Sequence, residues 1–275
     1  MVDERKTIRI ENYGDGITWL VLNRPDKHNA MNPTMHEEML QALDELEADE
    51  QTQVLVITGS GEAFCAGQDL QEYFRELDNN PEKRLKISRA SHQWRFQRLS
   101  HFPKITIAMV NGWCCGGAFT QLFACDFAIA AENAQFSLSE VNWGILPGGN
   151  VTKVVADCLS YRDALYYILT AETFNGKKAE AMRLINYAVP AEALREETIA
   201  LAQKLMKKNP YTLRAAKEAY RAVRTMNYDQ ALEYLNAKSA QLKTSDPERG
   251  RETGMREFLD RKSYRPGLEP YPRHS

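Results

Sequence analysis

An α/β fold with a largely parallel sheet is predicted by three features of the 275-residue sequence. Buried, strand-like runs ending at Thr58, Val110 and Ser137 are each followed by a glycine-containing loop. Strand and helix patterns alternate through the first half, the order that β-α-β units produce. From about residue 150 the chain turns mostly helical in pattern.

The elements follow in order. Strands are read at about 6–11 and 17–22, where Ile17-Thr-Trp-Leu-Val-Leu22 is β-branched and aromatic. Asn23-Arg-Pro-Asp-Lys-His-Asn-Ala-Met-Asn32 is a polar loop, and Asn32 before Pro33 is an N-cap with proline at the first helical position. Met35, Met39, Leu43 and Leu46 then recur at helical spacing to about residue 48. Gln53–Thr58 is a buried strand and Gly59-Ser-Gly-Glu62 a turn. A charged helix is expected over 82–99, its polar face solvated. A strand at 105–110, the loop Asn111-Gly-Trp-Cys-Cys-Gly-Gly-Ala-Phe-Thr120, a short helix and strands at 126–131 and 135–137 come next. Val189-Pro190 and Asn209-Pro210 mark helix boundaries. One-sided helices are read over 192–207, 211–224, 228–243 and 246–260, before an extended, proline-rich tail from Pro266. No short tandem repeat of solenoid type is present.

Composition removes several classes of function. A net charge of −2 offers no basic footprint for nucleic acid. The apolar runs fall far short of the roughly 20 residues a membrane helix needs. The amino-terminal MVDERKTIRI lacks the apolar stretch of a secretory signal, so a cytoplasmic protein is expected. Five cysteines without C-x₂-C spacing read as free thiols in a reducing compartment. His28, His36, His92, His101 and His274 show no ligand spacing, and no metal is expected.

Glycines between a strand and a helix have two common uses. One is turn geometry, the more frequent use for a lone Gly-Gly pair. The other is to bare backbone N–H groups at a helix start, where they favour developing negative charge. Gly116-Gly117 and Ala63-Phe-Cys-Ala-Gly-Gln-Asp-Leu70 both follow buried strands, so one N–H from each loop can converge on a single oxygen. Glu140 lies among Leu138, Val141, Trp143 and Ile145, where desolvation would raise its pKa toward acid–base use. Two donors and one carboxylate suit a carbonyl whose oxygen becomes an enolate.

Asn23-Arg-Pro, Ala66-Gly-Gln-Asp-Leu70, Asn111-Gly…Gly116-Gly-Ala118 and Glu140…Gly144-Ile-Leu-Pro-Gly148 resemble, in order, the signature motifs of the crotonase (enoyl-CoA hydratase/isomerase) superfamily. The resemblance implies a ββα spiral core over 1–200 with the acyl-CoA site, and a helical trimerisation region over 201–275. It implies a homohexamer built as a dimer of trimers and an acyl-CoA thioester substrate, with no cofactor and no nucleic-acid or membrane partner. By family position the oxyanion donors are the amides of Gln68 and Gly117, while Lys27, Ala30 and the backbone at Ala66 meet the CoA ester.

Within that superfamily, Gln71-Glu-Tyr-Phe-Arg-Glu-Leu77, Ser139-Glu-Val-Asn-Trp-Gly144 and Lys262-Ser-Tyr-Arg-Pro-Gly-Leu268 resemble the hydroxycinnamoyl-CoA hydratase-lyases. These hydrate feruloyl-CoA or 4-coumaroyl-CoA and cleave the product to an aromatic aldehyde and acetyl-CoA. Simple hydratases carry a second glutamate three residues after the oxyanion glycine, where this chain has Thr120. The resemblance gives Glu140 the acid–base role, Tyr73 the phenol and Thr120 the orientation of water. Tyr73 also reads as a helix residue packing by its ring, and Thr120 as a helix-start hydroxyl. Three positions depart from the pattern: Gln68 replaces Met, Cys115 a larger Phe, and Asn236 the second tyrosine of a Tyr-x-Tyr pair. Asn236 can still bond a phenol or methoxy group. Lys262, beside Phe258, is either a contact to the CoA phosphates of a neighbouring subunit or a solvated surface lysine. The rival readings are another acyl-CoA hydratase, isomerase or thioesterase, and a non-catalytic scaffold or RNA-binding protein of the same fold.

Overall fold

The computed structural model describes residues 5–265, 267 and 269–273; the start of the amino-terminal stretch, Pro266 and Leu268 of the tail, and His274 lie outside the described residues. These fall into two compact units, one holding the residues up to Phe102 and Thr106–Ile199, the other Pro103–Ile105 and the residues from Ala200 on.

The first unit opens with β1 (Ile8–Asn12) and β2 (Ile17–Leu22), an antiparallel pair in register from Ile8–Leu22 to Asn12–Thr18. Helix α1 (Pro33–Ala48) starts where Asn32 accepts the Met35 N–H and Pro33 occupies the position that needs no donor. It buries Met35, Met39, Leu43 and Leu46, the stripe its spacing predicts. Three ββα repeats follow. The first is β3 (Val54–Gly59), β4 (Ala63–Cys65), a π-helical turn (Leu70–Arg75) and α2 (Pro81–His92). The second is β5 (Ile105–Val110), β6 (Trp113–Cys115) and α3 (Ala118–Ala124). The third is β7 (Phe127–Ala131), β8 (Gln135–Ser137), a 3-10 turn (Ser139–Trp143) and α4 (Val151–Cys158). In each repeat the first strand joins a large sheet and the second a small one, so the chain spirals. Helix α5 (Tyr161–Thr170), β9 (Phe174–Asn175), α6 (Gly176–Ala181) and β10 (Tyr187–Val189) complete the unit. The sheet orders are β1-β2-β3-β5-β7-β10 and β4-β6-β8-β9.

Three sequence expectations change here. The glycine loops after Thr58 and Val110 contain strands β4 and β6, too short for a period-2 pattern to reveal. Val189-Pro190 is a helix boundary, with a 3-10 turn starting at Ala191, but what precedes it is an unread strand: Tyr187–Val189 pairs in parallel with Ile129–Ala131 at the edge of the large sheet. The helix over 82–99 is α-helical only to His92 and continues as a π-helical segment, Gln93–Arg98, in which Trp94 and Arg95 are buried. Its polar face is therefore not uniformly solvated. Trp19, Phe64, Trp94, Phe119 and Phe136 are fully buried, each contributing on the order of 2–3 kcal/mol through burial.

Helix α7 spans Leu194–Met206. In the second unit, α8 (Pro210–Val223) is capped by Asn209, and α9 (Tyr228–Ser245) by a reciprocal Asn227–Gln230 box. Helix α10 (Gly250–Arg256) runs into a last π-helical turn, Glu257–Arg261, so the span read at 246–260 begins four residues later than expected. The buried Asp246 makes that delay: it accepts from the Gly250 N–H and from Asn209 Nδ2, forming a turn before the helix starts. Arg273 of the tail binds Glu248 and the carbonyls of Met206 and Lys208. Among the described residues no helix is long and apolar enough to cross a membrane.

Candidate active site

The small sheet explains why distant motifs meet. Strands β4, β6 and β8 are parallel neighbours, with Cys65 opposite Cys114 and Cys115 opposite Ser137. Their carboxyl ends therefore lie side by side, one strand spacing of about 4.8 Å apart. The turns that leave those ends carry Gln68, Gly117 and Glu140.

Two glycines make the close approach possible. Gly67 has φ +90°, and a Cβ there would stand 2.9 Å from the Cys115 carbonyl and 3.3 Å from the Gly117 nitrogen. Gly116 has φ +50°, and its Cβ would lie 3.0 Å from Glu140 Oε1. A side chain at either position would be strained and would fill the space between the turns.

The two amides emerge free. Met31 and Gln68 form a parallel bridge in which Met31 N donates to Gly67 O at 2.7 Å and Asp69 N donates to Met31 O at 2.9 Å. That pattern turns the intervening Gln68 N–H to the other side. Gly117 precedes α3, whose first bonds are from Phe119 N to Gly116 O and Thr120 N to Gly117 O. Among the described residues, neither the Gln68 nor the Gly117 N–H donates to a backbone carbonyl.

Glu140 sits in the 3-10 turn after β8, and Gly144 in the left-handed region ends that turn. Its Oε2 is buried with no hydrogen-bond partner. Burial raises its pKa above the usual 4.5, against a smaller opposing pull from its own backbone N–H. The neighbouring thiols are held neutral. Burial pushes Cys65 up to about 11 and Cys115 to about 12, the latter helped by Cys65 and Glu140. Cys114 is raised as well, again chiefly by burial. Neutral, buried thiols are poor nucleophiles.

The Asn23–Asn32 loop docks on the same turns. Ala66 N donates to His28 O at 2.9 Å, and Arg24 Nη1 donates both to Ala30 O and to Asp69 Oδ2. Asp69 in turn caps the π-helical turn through the Gln71 and Glu72 N–H groups. Lys27, Ala30 and Ala66 are thereby gathered beside the Gln68 turn, with Lys27 exposed. Tyr73 is half-buried on that turn, its ring edge-on to His36 at 5.4 Å, and its hydroxyl bonds no other described residue. Thr120 is buried and its Oγ1 donates to Gly149 O at 2.8 Å, so toward a water its oxygen is left only to accept. Asn236 on α9, Phe258 and Lys262 belong to the second unit, where Asn236, Phe258 and Lys262 are exposed.

Sequence reasoning missed His36, Ser91, Trp94 and Arg95. Trp94 Nε1 donates to His36 Nδ1 at 2.8 Å, and His36 Nε2 meets Gln68 Oε1 at 2.9 Å. Gln68 Nε2 donates to Ser91 Oγ at 3.0 Å. Arg95 Nε donates to the same Ser91 Oγ at 3.1 Å, and its Nη1 to Gly117 O at 2.9 Å. The signal was available: Ile87, Ser91 and Arg95 share the i, i+4 stripe of the charged helix. Among the described residues no group of three or more His, Cys, Asp or Glu is placed to hold a metal ion.

Residues 12–265 match the enoyl-CoA hydratase/isomerase family model. The chain belongs to the enoyl-CoA hydratase/isomerase family. It is 52% identical over 98% of its length to a hydroxycinnamoyl-CoA hydratase-lyase of Pseudomonas fluorescens, of which it covers 97%. It is 34% identical over 74% of its length to enoyl-CoA hydratase domain-containing protein 2 of Mus musculus, covering 69% of that chain. A solved enoyl-CoA hydratase subunit from Geobacillus kaustophilus superposes with a TM-score of 0.84 at 30% identity, over 98% of this chain and all of that one. The crotonase fold, with its ββα spiral and helical carboxyl-terminal region, is thus the fold of this family member.

Proposed function

We propose that the protein hydrates a hydroxycinnamoyl-CoA thioester and then cleaves the 3-hydroxy thioester to an aromatic aldehyde and acetyl-CoA. The observation that carries the reading is one carboxylate, Glu140, whose Oε2 is buried without a hydrogen-bond partner, beside two free amides, in a chain 52% identical to a hydroxycinnamoyl-CoA hydratase-lyase. Gln68 N–H and Gly117 N–H bind the thioester oxygen and polarise the conjugated alkene. Glu140 takes a proton from water as its oxygen adds to the β-carbon, and gives that proton to the α-carbon of the enolate, which returns Glu140 to the carboxylate form. In the second step Glu140 takes the β-hydroxyl proton. The Cα–Cβ bond breaks, the oxygen becomes the aldehyde carbonyl, and the electron pair leaves as the acetyl-CoA enolate, which is then protonated. Nothing is oxidised or reduced overall, so the CoA ester is substrate and no redox cofactor enters the balance.

Tyr73 holds the phenol, Thr120 accepts a bond from the attacking water, and Lys27, Ala30 and Ala66 line the path of the CoA ester. Asn236, Phe258 and Lys262 complete ligand binding within a homohexamer of cytoplasmic location. No nucleic acid is a partner.

Incubation with feruloyl-CoA, and with its 4-coumaroyl, caffeoyl and unsubstituted cinnamoyl analogues, tests the reaction. The expected products are the matching aldehyde and acetyl-CoA. A stable 3-hydroxy thioester would make the protein a hydratase only, and free CoA with the acid a thioesterase.

A further inference from the structure

Arg95 is an unusual residue to find where it is. The residue is only 4% exposed, and none of the ion pairs among the described residues includes it. A buried cation without a carboxylate is costly to keep, so its other contacts should explain its presence. Those contacts join the two amide-bearing turns. Through Ser91 the guanidinium meets the side chain of Gln68, and through Nη1 it meets the carbonyl of Gly117.

The direction of the chain is fixed at both ends. Trp94 Nε1 can only donate, so His36 Nδ1 accepts. Burial, with Arg95 nearby, lowers the His36 pKa to about 3 and keeps the ring neutral, so its one proton lies on Nε2 and points at Gln68 Oε1. The Gln68 amide must then present its nitrogen to Ser91, as it does. Arg95 closes the other end, since it too can only donate. The side chain of Gln68 thus has its own role apart from the backbone N–H.

We propose that Arg95 is a positioning residue of the thioester site, holding the Gln68 and Gly117 turns in register through Ser91 and the Gly117 carbonyl. The proposal rests on the reading of those two amides as the oxyanion donors. It also gives the site a fixed positive charge near the place where the enolate forms. Nothing in the chain requires Arg95 to touch the substrate.

A spectroscopic test separates this role from simple packing. Donors on a cinnamoyl thioester carbonyl draw electron density from the ring, so the bound chromophore absorbs further to the red. In Glu140→Gln protein, which cannot turn over, feruloyl-CoA should show that red shift. Adding Arg95→Gln should reduce the shift clearly, and Arg95→Lys should restore part of it. In otherwise native protein, Arg95→Gln should lower kcat by about tenfold to a hundredfold, with little change in KM. Ser91→Ala cuts the same chain without removing the buried charge and should reduce the shift in the same direction, which keeps the test decisive if Arg95→Gln does not fold. A full red shift and native kcat in folded Arg95→Gln, or a full shift in Ser91→Ala, would overturn the positioning role alone. No red shift with Glu140→Gln by itself would instead remove the two-amide reading, and the proposal with it.

Discussion

Glu140→Gln is expected to lose both hydration and cleavage, by about a thousandfold or more, while still binding the CoA ester. A single positioned acid–base group commonly supplies about 10²- to 10⁴-fold, and here one carboxylate serves two successive steps. The amide fills the same volume and leaves the Gln68 and Gly117 N–H groups in place, so the dissociation constant for feruloyl-CoA should change only severalfold. Burial raises the Glu140 pKa above 4.5. As a base it must be ionised, so kcat/KM should fall on the acid side through that raised pKa rather than through the ordinary carboxylate range. The same shift has a sign for stability. A group whose folded pKa is raised favours folding fully below its unfolded value near 4.5 and loses that contribution as pH rises through the folded value. Glu140→Gln should therefore melt at a higher temperature than the native protein at neutral pH, with the gap closing in acid. Thermal melts across the acid range, paired with rate profiles, check both limbs.

Gly67→Ala is the second large effect. The backbone φ of +90° is unfavourable for alanine, and the new methyl carbon would stand 3.3 Å from the Gly117 nitrogen. It would crowd the gap between the two donors without altering any side chain of the site. Loss of one such donor typically lowers kcat by about 10²- to 10³-fold. The expected result is a fall in kcat of at least about a hundredfold in a folded protein. A folded Gly67→Ala enzyme within threefold of native kcat would mean that the gap does not hold the reacting oxygen.

Much of this architecture is legible in the residues. The strands at 17–22, 53–58 and 105–110 announce themselves by β-branched runs, and α1 by Asn32-Pro33 and a clean apolar stripe. What fails to show is most of the small sheet. Strand β8 is read at 135–137, but β4 and β6, three residues each, are hidden in glycine loops, and the pairing of the three is a tertiary fact that no local period encodes. Yet that sheet is what sets Gln68, Gly117 and Glu140 at one edge, so the motifs could be named in order while the reason for their meeting stayed hidden. Arg95 was hidden for a different reason. Arginine in a charged helix is usually solvated, and the stripe Ile87-Ser91-Arg95 is too polar to announce itself as a buried face. Gln68 shows the converse: the motif singles out its backbone N–H, whereas its side chain, bonded to His36 and Ser91, reads in the sequence only as a departure from Met.

The central claim is that two main-chain amides hold one thioester oxygen beside Glu140. The structure of the Glu140→Gln protein with bound feruloyl-CoA measures this directly. The account predicts the thioester oxygen about 3 Å from both Gln68 N and Gly117 N, with the residue 140 amide facing the β-carbon. A thioester oxygen bonded to neither nitrogen, or a β-carbon out of reach of residue 140, would contradict it.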